Sequence, residues 1–110
     1  MTMTTEQVIA HQEEVWKHKD LDAIMTDYAE DALVIRPMGV LKGWEAIHAA
    51  YGRLLAATNP GTMKVDKLIV EGEVGYVVWS NPPAAPIGTD TYIVRDGKIV
   101  LQTFVVYMPG

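Results

Sequence analysis

Thr89-Asp90-Thr91-Tyr92-Ile93-Val94-Arg95 leads into Asp96-Gly97 and out through Lys98-Ile99-Val100-Leu101-Gln102-Thr103-Phe104-Val105-Val106-Tyr107-Met108. Two runs rich in β-branched and aromatic residues flank an Asp-Gly pair. That is the strongest short-range signal for an antiparallel hairpin, because glycine tolerates the positive φ a tight turn demands. Upstream the pattern repeats: Met63 to Glu71 and Val74 to Ser80 read as two more strands around a turn at Gly72. Asn81-Pro82-Pro83-Ala84-Ala85-Pro86 is too rich in proline for a central strand and reads as a loop. A half-exposed strand should alternate apolar and polar residues. Tyr76-Val77-Val78-Trp79 and Phe104-Val105-Val106-Tyr107 are instead apolar on both faces. One face therefore needs a layer of helices. The other needs a partner, and the economical one is a second copy of the same sheet. This predicts a homodimer in which Leu101, Val105 and Tyr107 point outward.

The helices precede the strands. Thr4 to Lys19 has capping threonines at Thr4 or Thr5, and Val8, Ile9, Val15 and Trp16 share one face. The centre of that face falls on Gln12, with His11 at its edge. Asp20 caps a second helix, expected over Leu21 to Ala29, with Leu21, Ile24, Met25 and Tyr28 at helical spacing. Ala32 to Arg36 reads as a strand stopped by Pro37 and turned by Gly39. Trp44 to about Ala57 is a third helix, whose apolar face carries Trp44, Ile47, Tyr51, Leu54 and Leu55. Asn59-Pro60-Gly61 ends it. The order is ααβ(β)αββββ in a single domain over residues 1–110.

Composition excludes several classes. The chain is 49% apolar, as a globular domain should be, and carries a net charge of −5 from nine basic and fourteen acidic residues. No Lys/Arg cluster offers a grip for nucleic acid. No apolar run approaches the ~20 residues of a bilayer span. Met1 to Thr5 lacks the basic start and apolar run of a secretory signal, so a cytoplasmic protein is expected. The absence of cysteine removes thiolate nucleophiles and Cys-ligated zinc. His11, His18 and His48 give no metal-ligand spacing, so no metal site is expected, and Ser80 lacks evident triad partners. No glycine-rich phosphate loop exists, and no cofactor is expected.

Three segments carry a family likeness: His18-Lys19-Asp20-Leu21-Asp22-Ala23-Ile24, Asp27-Tyr28-Ala29-Glu30-Asp31-Ala32 and Gly43-Trp44-Glu45-Ala46-Ile47. With the ending Asp90 to Ile99, they resemble the nuclear transport factor 2-like superfamily, in its SnoaL-like and ketosteroid-isomerase-like branch. The resemblance implies an α+β, cone-shaped (cystatin-like) fold: three N-terminal helices packed on a curved antiparallel sheet, with a pocket at the wide end and dimerisation through the sheet. Members include isomerases, dehydratases, epoxide hydrolases, polyketide cyclases and non-enzymatic modules, so the fold does not choose the chemistry. Alignment with the steroid isomerases puts Arg36 where those enzymes keep the carboxylate that shuttles a proton. A guanidinium stays protonated and cannot be that base, which argues against steroid isomerisation. The same alignment puts their oxyanion-binding tyrosine at Gln12, its supporting tyrosine at Tyr51 and their oxyanion-binding acid at Asp90.

From these residues a candidate site follows. Asp90 and Arg36 are the candidate catalytic pair; Gln12, Trp16, Tyr51, Tyr92, Gln102 and Phe104 are candidate substrate contacts. Val8, Val15, Val34 and Val106 are expected to complete the walls. With Arg36 in the same pocket, Asp90 should stay ionised, and Arg36 should clamp an anionic or enolisable oxygen on a mostly apolar ligand. Two readings remain open. One is a cofactor-independent acid–base enzyme (isomerase, cyclase, dehydratase or hydrolase type) acting on a small apolar or aromatic substrate. The other is a non-catalytic dimeric module that binds a small apolar ligand or serves as an accessory domain. An enclosed cavity faced by Asp90 and Arg36 favours a ligand site, and a filled cone favours a structural module.

Overall fold

A computed structural model describes residues 2–109. The elements in chain order are α1 (Thr5–Lys17), α2 (Leu21–Met25), β1 (Tyr28–Arg36), β2 (Gly39–Lys42), α3 (Trp44–Ala57), a single 3₁₀ turn (Pro60–Thr62), β3 (Lys64–Glu71), β4 (Val74–Asn81), β5 (Ala85–Arg95) and β6 (Lys98–Tyr107). The strands form one sheet in the order β2-β1-β6-β5-β4-β3. Neighbours are antiparallel except β1 and β6, which run parallel. A parallel pair needs a long crossover. Here the crossover is everything between the first strand and the last.

Thr4 caps α1 through a capping box: its side chain accepts from the Gln7 amide, and Gln7 Oε1 accepts from the Thr4 amide at 2.9 Å. Thr5 Oγ1 then donates to Gly72 O at 2.8 Å, tying the helix start to the β3–β4 turn. Val8, Ile9 and Val15 are buried from α1, Ile47, Tyr51 and Leu55 from α3, and Val34, Val77, Tyr92, Val94 and Ile99 from the sheet; together they form the core. Gly75 makes the approach of α1 to β4 possible, since a Cβ there would overlap the Ile9 side chain.

Register shifts interrupt the β1–β6, β3–β4, β4–β5 and β5–β6 pairings, with the extra residues in β1, β3, β5 and β6. Each bulge adds local twist and bends its strand, so the sheet curls over the helices. Pairing places Val34, Gln102, Tyr92, Asp90, Phe104 and Val77 on the concave face. The opposite face stays apolar and open: Leu33, Ile35, Val40, Ile69, Tyr76 and Ile87 are exposed, as are Val105 (51%) and Tyr107 (60%).

Two boundaries differ from expectation. The second helix stops at Met25, and Tyr28 and Ala29 belong to β1. The reason is tertiary: the Ile99 amide donates to Asp27 O at 2.7 Å and Lys98 Nζ donates to Thr26 O at 2.6 Å, so β6 captures the chain just after the helix. The proline-rich segment is also shorter than expected, because Ala85 already pairs with Asn81 and opens β5.

Candidate functional site

Between α1, the C-terminal half of α3 and the concave face lies a cavity of about 720 Å³. Ile9, Trp16, Tyr51, Leu54, Val65, Val77, Trp79, Phe104, Val106 and Met108 give it apolar and aromatic walls. Asp90, Tyr92 and Gln102 line it from the sheet, and Gln12 and Glu13 line it from α1. Loop residues 58–60 and 82–84 complete the lining. A more open hollow of about 450 Å³ beside Trp44 and Lys98 has no hydrogen-bonded cluster like that at Asp90. Among the described residues no group of His, Asp or Glu is arranged to hold a metal ion.

Asp90 organises the polar part of the cavity. Its Oδ1 accepts from Trp79 Nε1 at 2.7 Å, and its Oδ2 accepts from Gln102 Nε2 at 2.7 Å and from the Tyr92 hydroxyl at 3.1 Å. Burial raises the Asp90 pKa above the ordinary carboxyl range, while the bonds from Trp79, Gln102 and Tyr92 pull it back down. Gln102 is saturated: its Nε2 also reaches the Tyr92 oxygen at 3.4 Å, and its Oε1 accepts from Tyr51 at 2.7 Å and from Tyr28. Burial raises the pKa of Tyr28, Tyr51 and Tyr92, so all three are neutral donors. A buried hydroxyl left without its partner costs about 1–3 kcal/mol, which is why the amide of Gln102 holds this cluster together.

Trp79 reaches Asp90 because Gly88, its partner in the β4–β5 ladder, has no side chain: a Cβ there would overlap the indole. The Trp16 ring packs edge-on against Tyr51, with centroids 5.1 Å apart, and walls the cavity from the helix side.

The structure brings together seven of the eight expected site residues on the cavity lining; six of them are Asp90, Tyr51, Tyr92, Gln102, Trp16 and Phe104. Gln12 also lines the cavity, but its amide is committed elsewhere. Its Nε2 donates to Ile24 O and to Asp27 Oδ2, both at 2.9 Å, and its Oε1 accepts from Trp16 Nε1 at 3.0 Å. It forms no hydrogen bond with Gln102.

Arg36 is the main departure. It is not among the lining residues and forms no ion pair within 4.0 Å with Asp90 among the described residues. Its Nε is buried without a partner, and its charge acts on the Tyr51 hydroxyl instead, opposing the rise there. Burial raises the Asp90 pKa, and no guanidinium lies within ion-pair distance to oppose it. Val8, Val15 and Val34 are core residues and not walls, because the core cluster closes over them below the cavity.

Two groups were not singled out from the sequence. Trp79 reads as bulk because nothing in its own strand shows that its N–H meets Asp90. Asp27 reads as a helix-end residue, yet it is 2% exposed and its Oδ2 lies 2.5 Å from His11 Nδ1 while also accepting from Gln12. The only available signal was the placement of Gln12 and His11 on an apolar face, since a buried polar group must find partners somewhere.

The sequence profile of the SnoaL-like domain matches residues 8–102. The chain belongs to the SnoaL-like domain family. Solved structures of the same shape agree. A nuclear transport factor 2-like protein of unknown function from Burkholderia xenovorans superposes with a TM-score of 0.81 at 20% identity, over 96% of this chain and 84% of its own. Another from Cytophaga hutchinsonii gives 0.79 at 15% identity, over 97% and 93%. A putative polyketide cyclase from Sinorhizobium meliloti gives 0.75 at 20% identity, over 90% and 94%. At such identities the likeness establishes the fold of this SnoaL-like domain and not its reaction. No curated protein matches the chain. No described helix is long and apolar enough to cross a membrane.

Proposed function

We propose that this SnoaL-like domain binds a small, mostly apolar or aromatic molecule in its cone and that Asp90 exchanges a proton with it, without a cofactor. One observation carries the reading: the Asp90 carboxylate, fixed by three donors, lines a mostly apolar cavity of about 720 Å³. Burial makes the carboxylate readier to take a proton than an exposed one, and its three donors fix where that proton is received. A putative polyketide cyclase of the same fold is compatible with proton-transfer chemistry in such a cone. Arg36 has no place in this scheme, because it does not line the cavity.

A specific observation favours the second reading, a binding module without turnover. Trp79 Nε1, Gln102 Nε2 and the hydroxyls of Tyr51 and Tyr92 all have protein partners already, so none stands free to meet an oxyanion. Solvent-deuterium exchange separates the two. Incubation with a panel of aryl ketones in heavy water, followed by mass spectrometry, should show carbon-bound deuterium with wild type. Asp90→Asn should slow exchange by roughly 10²–10⁴-fold. Equal exchange in both would remove Asp90 from the role, and tight binding with no exchange would establish the binding module.

A further inference from the structure

The charges around the cavity do not balance. Among its lining residues the charged side chains are Asp90 and Glu13, and none is Lys, Arg or His. Glu13 has a partner, Lys17 Nζ at 3.5 Å one helical turn along α1. Asp90 has dipolar donors but no cation within ion-pair distance among the described residues. A carboxylate buried without a counter-charge is costly, and neutral donors offset that cost only in part.

The acceptor count gives the missing partner a position. An ionised carboxylate offers about four lone-pair sites. Oδ2 uses two, for Gln102 and Tyr92, and Oδ1 uses one, for Trp79. One acceptor site remains, on Oδ1, on a residue that lines the cavity. The same cavity is lined by the rings of Trp16, Tyr51, Trp79 and Phe104, and the face of an aromatic ring attracts a cation through its quadrupole.

We propose that the cone takes a lipophilic amine in its protonated form, with Asp90 as the counter-ion. One N–H of the ammonium fills the free position on Oδ1, and the aromatic and aliphatic walls cover the apolar body. The proposal rests on the reading of the cone as the ligand site and narrows it to a charge class. It reverses the expectation of an anionic ligand, which needed Arg36 in the lining. A carboxylate ligand would meet Asp90 with no cation between them, and like charges at close range repel strongly in a low-dielectric site. The net charge of −5 also biases encounter toward cations.

The test uses three molecules of one shape: biphenylmethylamine, biphenylmethanol and biphenylcarboxylate. Each is titrated into the wild-type chain by calorimetry. The indole N–H resonance of Trp79, which sits on Asp90, reports whether binding occurs in the cone. The amine should bind about tenfold tighter than the alcohol, because the ammonium adds the attraction of opposite charges to the hydrogen bond that either group donates to the carboxylate. The carboxylate should bind most weakly. In Asp90→Asn the advantage of the amine over the alcohol should vanish, with circular dichroism confirming the fold. The wild-type ranking decides the matter even if that variant does not fold. Equal binding of amine and alcohol, or a preference for the carboxylate, overturns the inference and leaves the cone as a ligand site. Failure of all three to move the Trp79 signal overturns both readings.

Discussion

Asp90 carries two opposing influences on one carboxyl. Burial disfavours its charge, and three hydrogen-bond donors favour it; burial dominates, so its pKa lies above the ordinary range. The folded chain therefore binds this proton more tightly than the unfolded chain. The resulting stability is fully present below the unfolded carboxyl pKa and is lost as pH rises through the raised folded value. Asp90→Asn removes the titration. Thermal melts from the carboxyl range up to neutrality should thus show wild type losing stability relative to Asp90→Asn as pH rises. A gap that moves the other way would mean that the donors outweigh burial. Arg36 has the opposite lesson. A residue type matched to a role cannot perform it from outside the cavity, and the Nε of Arg36 is buried without a partner.

Among the elements, the ladder between β4 and β5 sets the geometry of the site. Gly88 lies opposite Trp79, and the indole fills the space where a side chain would sit. Gly88→Ala should force the ring away from β5 and break its bond to Asp90. Overpacking of this kind costs about 1–3 kcal/mol. Urea denaturation should show that loss, and the fluorescence of Trp79 should shift as its N–H loses the carboxylate. A variant as stable as wild type, with an unchanged spectrum, would show that the ring is not held there. Element type was legible wherever periodicity was strong: α3 spans Trp44–Ala57 as expected, and the hairpin turns at Asp96-Gly97. The end of α2 was not, because Tyr28 suits the helical spacing as well as a strand. Only the bonds from β6 to residues 26 and 27 decide between them.

At the scale of the whole molecule, each of the six strands places at least one exposed apolar side chain on the convex face of the sheet, from Val40 on β2 to Ile69 on β3. We propose that a second copy covers it, forming a homodimer. A standard interface buries ~1,600 Å² in total. Sedimentation at micromolar concentration should give a dimer, and Val105→Glu, which places a charge on that face, should shift it to monomer. A monomeric wild type would exclude the proposal. The pattern of residues along the chain was enough to determine the order of elements, the faces of each helix and the sheet that is apolar on both sides, because period and turn chemistry are local properties. Tertiary structure alone decided which side chains meet. Trp79 and Asp90 are joined by strand register, Gln12, His11 and Asp27 by the packing of α1 against the chain after α2, and Arg36 stays out of the cavity that Asp90 lines. Register is cumulative: each bulge shifts every pairing beyond it, so contacts between distant strands cannot be read from either strand alone.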